Sequence, residues 1–214
     1  MTSSAPRAET RVAVFAKAPV PGEVKTRLVP ALGEEGAARL HEALVRHALD
    51  TAVRADVGPV ELWCAPDAAH AFFTRCGRDF AVRLREQPSG HLGERMAEAF
   101  RAALCDNAAL VLVGSDCPAL GPGTVREAAE ALASHDAVFA PAEDGGYVLV
   151  GLAGDAPGIF EGIAWGGSEV MAQTRARLLE ARVAWKELGT FWDIDRPEDY
   201  VRLEREGLLR ALAG

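Results

Sequence analysis

The stretch ALVLVGSDCPALGPGT, Ala109 to Thr124, decides the fold. Its first five residues are apolar without interruption, the pattern of a strand buried on both faces rather than one half in water. The run stops at Gly114, an aspartate follows at Asp116, and Gly121-Pro122 then opens a helix, since proline suits a first helical turn. Strand, short polar loop and helix in that order form the first part of a βαβ unit.

The rest of the chain repeats it. RVAVFA (Arg11–Ala16) reads as a buried strand, followed by the loop KAPVPGEVKTRLVP. From Gly33 to about Ala55, Leu40, Leu44, Ala48 and Thr51 or Ala52 recur every three or four positions, which marks an amphipathic helix. VELWC (Val60–Cys64) is a strand, Asp67 to Cys76 a helix, and AVRLRE (Ala81–Glu86) an alternating strand. Leu92 to Leu104 is helical by its Met96, Phe100, Leu104 stripe. DAVFAPA (Asp136–Ala142) and GYVLVGL (Gly146–Leu152) lie too close for a crossover helix, so they form a hairpin or two differently directed strands that interrupt the parallel order. A helix from about Gly167 to Arg182, a strand at Ala184–Leu188 and a closing helix from Pro197, capped by Asp195 or Arg196, complete the pattern. The expected class is α/β: one Rossmann-like domain over residues 11–214, with a mostly parallel mixed sheet, helices on both faces and a flexible N-terminus at residues 1–10.

A formal charge of -8, from 31 acidic and 23 basic side chains, sets the field against a nucleic-acid backbone. A nucleotide is compatible, because a few local cations, backbone N–H groups and a metal neutralise its phosphates. Cys64, Cys76, Cys105 and Cys117 contain no CxxC pair, which argues against zinc and against a disulfide framework. No run approaches the ~20 apolar residues of a membrane span, and the first ten residues lack a signal peptide's apolar core. The expected location is the cytoplasm, with no membrane partner.

In α/β sheets ligands bind beyond the carboxyl ends of strands, and four stretches there carry chemistry. In KAPVPGEVKTRL, Lys17, Lys25 and Arg27 can meet phosphates and Gly22 permits close backbone approach; the same loop also reads as a solvated basic surface. It lacks the GxxxxGK[ST] spacing of a P-loop. In GSDCP, Asp116 is either a turn or cap former or a ligand for Mg²⁺ or Mn²⁺. In WDIDRPEDY, Asp193 and Asp195 point the same way if the segment is extended, which favours a cation between them, although Asp195 also suits a helix cap. In EDGGYVLVGL, the glycines read as a turn and as a close approach to a ligand that Asp144 or Tyr147 would meet.

Taken together, FAKAPVPGEVKTRL, GHLGERMAEAF, GSDCPAL, APAEDGGYVLVGL, WGGSEV and FWDIDRPEDY resemble, in order and spacing, the bacterial DUF2064 group of GT-A-type glycosyltransferase-like proteins, relatives of molybdenum-cofactor and phospholactate guanylyltransferases. The resemblance implies a GT-A fold, a nucleotide at the carboxyl end of the first strands and a divalent cation, Mg²⁺ or Mn²⁺. It implies that Lys17, Lys25 and Arg27 hold phosphates, that Gln87 and the Leu92–Met96 element, with Gly93 and Arg95, read the base, and that Asp116 and Asp193 or Asp195 ligate metal. His91 stands where the family usually has an acid, and Arg196 where it has Thr.

The resulting expectation is a metal-dependent transferase that moves a glycosyl group from a nucleotide sugar to a small acceptor, with Asp144 or Glu143 as the base for its hydroxyl. A guanylyltransferase-like nucleotidyl transfer to a phosphorylated acceptor is the alternative, in which Lys25 and Arg27 would suit pyrophosphate. A non-catalytic nucleotide sensor is a third, which the three acidic positions argue against. The absence of GxGxxG argues against a dehydrogenase.

Overall fold

The computed structural model describes residues 10–212 except 106–108, 155 and 157. The flexible N-terminus expected at residues 1–10 therefore falls outside the described residues, save for Thr10, which already belongs to the first strand.

That strand, β1 (Thr10–Lys17), is followed by a 3-10 turn and the long helix α1 (Val29–Ala55). Then come β2 (Val60–Ala65), α2 (Ala71–Asp79), β3 (Arg83–Glu86), α3 (Leu92–Cys105), β4 (Ala109–Gly114) and α4 (Pro122–Ala131). The hairpin β5 (Ala137–Pro141) and β6 (Tyr147–Leu152) precedes α5 (Val170–Ala181), β7 (Trp185–Glu187), α6 (Pro197–Arg205) and α7 (Leu208–Leu212). The seven strands form one sheet in the order β3-β2-β1-β4-β6-β5-β7, parallel throughout except for β6, which runs against both neighbours. The short Asp136–Leu152 stretch is thus a hairpin, and it is where the parallel order breaks.

Period-two alternation divides the core. Val12, Val14 and Ala16 pack with α1, α2 and α4 on one face. Ala13 and Phe15 pack with α3 and α5 on the other. A third cluster joins the start of α1 to Trp192, Ile194 and Leu203. Several boundaries shift from the sequence pattern, β3 beginning at Arg83 and α5 at Val170, and the largest shifts are at two helix starts. The chain enters α1 earlier than Gly33, with Pro30 in its first turn and a kink at Gly33, whose φ is 69°. It enters α2 later than Asp67, because the carboxylate of Asp67 accepts the Ala69 N–H in a local turn and His70 takes the N-cap position.

The topology places the site. From β1 the chain steps outward to β2 and β3, then returns through α3 to β4 on the other side of β1. The β1–β4 boundary is where the order reverses, and Phe15 pairs with Gly114 at its carboxyl edge. Because β6 is antiparallel, its first residue lies at that same edge, as do the loops after β5 and β7.

Candidate functional site

Beyond this edge the loop after β7 is tied to the loop after β4. Ile194 N–H donates to the Asp116 carbonyl, and Phe191 N–H donates to that of Pro141. The segment is extended as its pattern predicts: Trp192 and Ile194 are buried while Asp193 and Asp195 are partly exposed.

Asp116 sits at the centre. Its Oδ1 lies 2.9 Å from the Lys25 ammonium, which also donates to the Ile194 carbonyl. The Lys25 side chain is only 5% exposed, against 46% for Asp116. Lys25 reaches this point from a backbone in the left-handed region, φ 49°, an unusual conformation for a lysine that the surrounding contacts impose. Burial alone would raise the Asp116 carboxyl, but the charges of Lys25 and His41 and the hydrogen bonds from Lys25 and Ser115 outweigh it and hold it below its ordinary value.

His41 is a site residue that the sequence reading passes over, since on α1 it falls on the core stripe. Its Nε2 lies 3.0 Å from the Lys17 carbonyl, an acceptor, so Nε2 carries the proton and Nδ1 is bare. That Nδ1 is buried with no hydrogen-bond partner among the described residues, 3.9 Å from Asp116 Oδ1. Burial lowers its pKa, and the nearby Asp116 charge opposes that shift.

The remaining acids separate by partner. Asp193 is half-buried, and its pKa is raised to about 6 first by that burial and then by the charges of Asp144 and Asp116. Asp195 pairs with Arg27 at the exposed rim. The Asp195 and Arg196 N–H groups both donate to Asp199, so the closing helix begins at Arg196 with Asp199 as the capping carboxylate. Glu143 is engaged by Arg202 at 2.7 and 3.2 Å, and that guanidinium lies 4.4 Å over the Trp192 ring. Asp144 is exposed, and its Oδ1 accepts the Gly146 N–H at 2.9 Å. Among the described residues no three Asp, Glu, His or Cys side chains converge closely enough to hold a metal by themselves.

A cleft of about 590 Å³ opens over the β1–β4 boundary, walled by Lys17, Lys25, Arg27, Gln87, Arg95, Asp116 and Asp195. Gln87 is tied down: its amide donates to the Ala16 and Trp63 carbonyls, and its oxygen accepts from Arg95. It therefore aims Arg95, whose Nε–H is buried and unpartnered. Gly22 and Gly93 do not line this cleft. Gly22 has φ 78° and forms a turn beside Glu34, and Gly93 is buried under Trp165, where a Cβ would come within 2.7 Å of the indole. Gly145 is the glycine that the site requires: its φ is 93° and a Cβ would fall 1.9 Å from the Ser168 carbonyl oxygen.

The fold is that of the nucleotide-diphospho-sugar transferase class. The chain superposes with a TM-score of 0.81 on a protein from Desulfovibrio desulfuricans G20 provisionally described as a nucleotide-diphospho-sugar transferase, 27% identical over 96% of this chain and 98% of that one. A nucleotidyl transferase from Methanothermobacter thermautotroptrophicus is 17% identical with a TM-score of 0.66, over 95% and 99% of the two chains. A manganese complex of Rv0371c from Mycobacterium tuberculosis H37Rv is 20% identical with a TM-score of 0.52, over 92% and 98%. The chain itself belongs to DUF2064, the family described as an uncharacterized protein conserved in bacteria, whose family model matches residues 48–167. No curated protein matches it.

Proposed function

We propose that the chain is a metal-assisted transferase that moves a glycosyl group from a nucleotide sugar to a small acceptor. One observation carries this reading: a cleft that gathers Lys17, Lys25, Arg27 and Arg95 around Asp116, with Glu23 and Asp195 also in its wall, adjoins across Phe15, Leu92 and Gly114 a pocket whose only charged wall residue among the described residues is Asp144. The cationic side suits the diphosphate of a donor; the other side suits an acceptor hydroxyl that must lose a proton.

Lys17, Arg27 and Arg95 bind the phosphates from the cleft walls. Lys25 has three donors, two of them engaged by Asp116 and Ile194, which leaves one for a phosphate oxygen. Asp144 accepts the proton of the acceptor hydroxyl as that oxygen bonds to the anomeric carbon, and the bond from carbon to the diphosphate oxygen breaks with its electron pair on the leaving group. Glu143, committed to Arg202, is not that base.

The donor set fits Mg²⁺ or Mn²⁺, which Asp116 and Asp193 would hold, because these hard cations need only one or two carboxylates from the protein. Burial first, then the charges of Asp144 and Asp116, raise the Asp193 carboxyl, and a cation beside it would offset that repulsion. Bound there, the cation supplies charge stabilisation to the leaving diphosphate. Asp195, paired with Arg27, serves to position that arginine. The likeness to a manganese-bound relative and to a nucleotide-sugar transferase supports the same reading.

Calorimetry of a nucleoside diphosphate with and without Mn²⁺ tests it. Asp116→Ala should abolish the Mn²⁺ dependence while the fold persists. Unchanged affinity and unchanged Mn²⁺ dependence in that variant would remove Asp116 from the metal site.

A further inference from the structure

We propose that the pocket beside Asp144 is the acceptor subsite and takes a small, uncharged, ring-bearing alcohol, to the exclusion of phosphorylated acceptors. This rests on the glycosyl-transfer reading for its role, but its ligand chemistry follows from the walls alone.

The pocket, about 230 Å³, lies between the start of α3, the start of β6 and the 165–167 turn that leads into α5. It is contiguous with the phosphate cleft, since Phe15, Leu92 and Gly114 wall both. Its volume is below the roughly 300–1,000 Å³ usual for drug-sized ligands, which limits the occupant to about one ring. Its body is apolar and aromatic. Tyr147 and Trp165 meet edge to face, centroids 6.3 Å apart, and Met96 is a buried wall residue.

Charge decides the rest. Asp144 is the only charged residue in the lining, and no lysine, arginine or histidine is among the residues that form it. A phosphate monoester seated there would bring a second negative charge to Asp144 with no cation in the pocket wall to answer it, since Lys17, Lys25, Arg27 and Arg95 wall the adjoining cleft instead. A neutral ring meets no charge repulsion on entering, and its hydroxyl can reach the Asp144 carboxylate, whose Oδ1 already accepts from Gly146. Gly145, which cannot carry a side chain against Ser168, keeps that carboxylate at the pocket mouth.

The test uses the whole chain, with methionine methyls labelled for NMR. Met96 walls the pocket and Met171, one residue beyond the wall residue Val170, does not, so the second methyl is an internal control. Benzyl alcohol and cyclohexanol should shift the Met96 methyl saturably and leave Met171 nearly unmoved. Benzyl phosphate should bind there about tenfold or more weakly than benzyl alcohol, the factor expected for one unanswered like-charge contact near the surface. Leu92 is exposed, so Leu92→Arg should fold, and it should narrow or reverse that preference by placing a cation at the mouth. Equal or tighter binding of benzyl phosphate to the native chain, or no Met96 response to either alcohol, would overturn the inference. These outcomes are independent of turnover. Alcohol-selective binding in a protein that consumes no nucleotide sugar keeps the pocket and removes the glycosyl-transfer reading. Glycosyl transfer with no such selectivity does the opposite.

Discussion

Replacing Lys25 by Met removes the ammonium that the site is built around while keeping most of the side chain's volume. The loss can be worked from the contacts. A charge-assisted hydrogen bond contributes about 1.5–3 kcal/mol, and stripping one partner from a fully buried pair costs about 3–5 kcal/mol. Here the lysine is buried but Asp116 is 46% exposed, so water screens the orphaned carboxylate and the lower end applies. The expected destabilisation is about 2 kcal/mol, a fall in Tm of roughly 4–8 °C for a chain of this size. The sign with pH is set by Asp116, whose folded pKa is depressed: the pair's stabilisation is present above the ordinary carboxylate value near 4 and is lost as pH falls through the folded value. A double-mutant cycle is the assay, with thermal unfolding of Lys25→Met, Asp116→Asn and the double variant near pH 7. Lys25→Met should cost markedly less in the Asp116→Asn background, a coupling of about 1 kcal/mol or more. Additive losses would show that Lys25 stabilises the loop through packing alone and would refute the ion-pair argument.

The Asp193 carboxyl should titrate near pH 6 by NMR, and Asp144→Asn should move it down toward the ordinary range; an unshifted resonance in that variant would remove Asp144 from its environment. Because this folded pKa is raised, its contribution to stability is present below about pH 4 and lost as pH rises through about 6, the reverse of Asp116. Gly145→Ala should unfold at a temperature several degrees lower and move the Asp144 resonances, since the added methyl meets the Ser168 carbonyl at 1.9 Å; a Tm within a degree of the native value would contradict the close approach. Arg27→Ala should weaken a nucleoside diphosphate by about 1.5–3 kcal/mol and the nucleoside hardly at all, read by calorimetry, whereas equal losses would mean that the loop acts through its shape.

Much of this was legible in the sequence because the controlling patterns are local. Continuous apolar runs marked β1 and β4, and the short gap after Asp136–Ala142 marked the hairpin. Position after a strand singled out Lys17, Asp116 and Asp144 without any contact map. What escaped depends on pairing across the chain. His41 has the spacing of a core residue, and only the approach of α1 to the β1 edge shows that it faces Asp116. That Arg27 takes Asp195, leaving Asp193 to share charge with Asp144, depends on a contact 168 residues apart in sequence. Gly93 entered only through the resemblance of the Leu92–Met96 element to a base-reading one, and the contact that a side chain there would violate is Trp165, far along the chain.

Product analysis tests most directly whether this edge breaks a sugar–diphosphate bond. Ion chromatography of incubations with Mn²⁺ should show a nucleoside diphosphate released from a nucleotide sugar, slowly to water and faster with a neutral alcohol, and strongly slowed in Asp144→Asn. Pyrophosphate released from a nucleoside triphosphate only when a phosphorylated acceptor is present, with no diphosphate from any nucleotide sugar, would contradict the account and establish nucleotidyl transfer in its place.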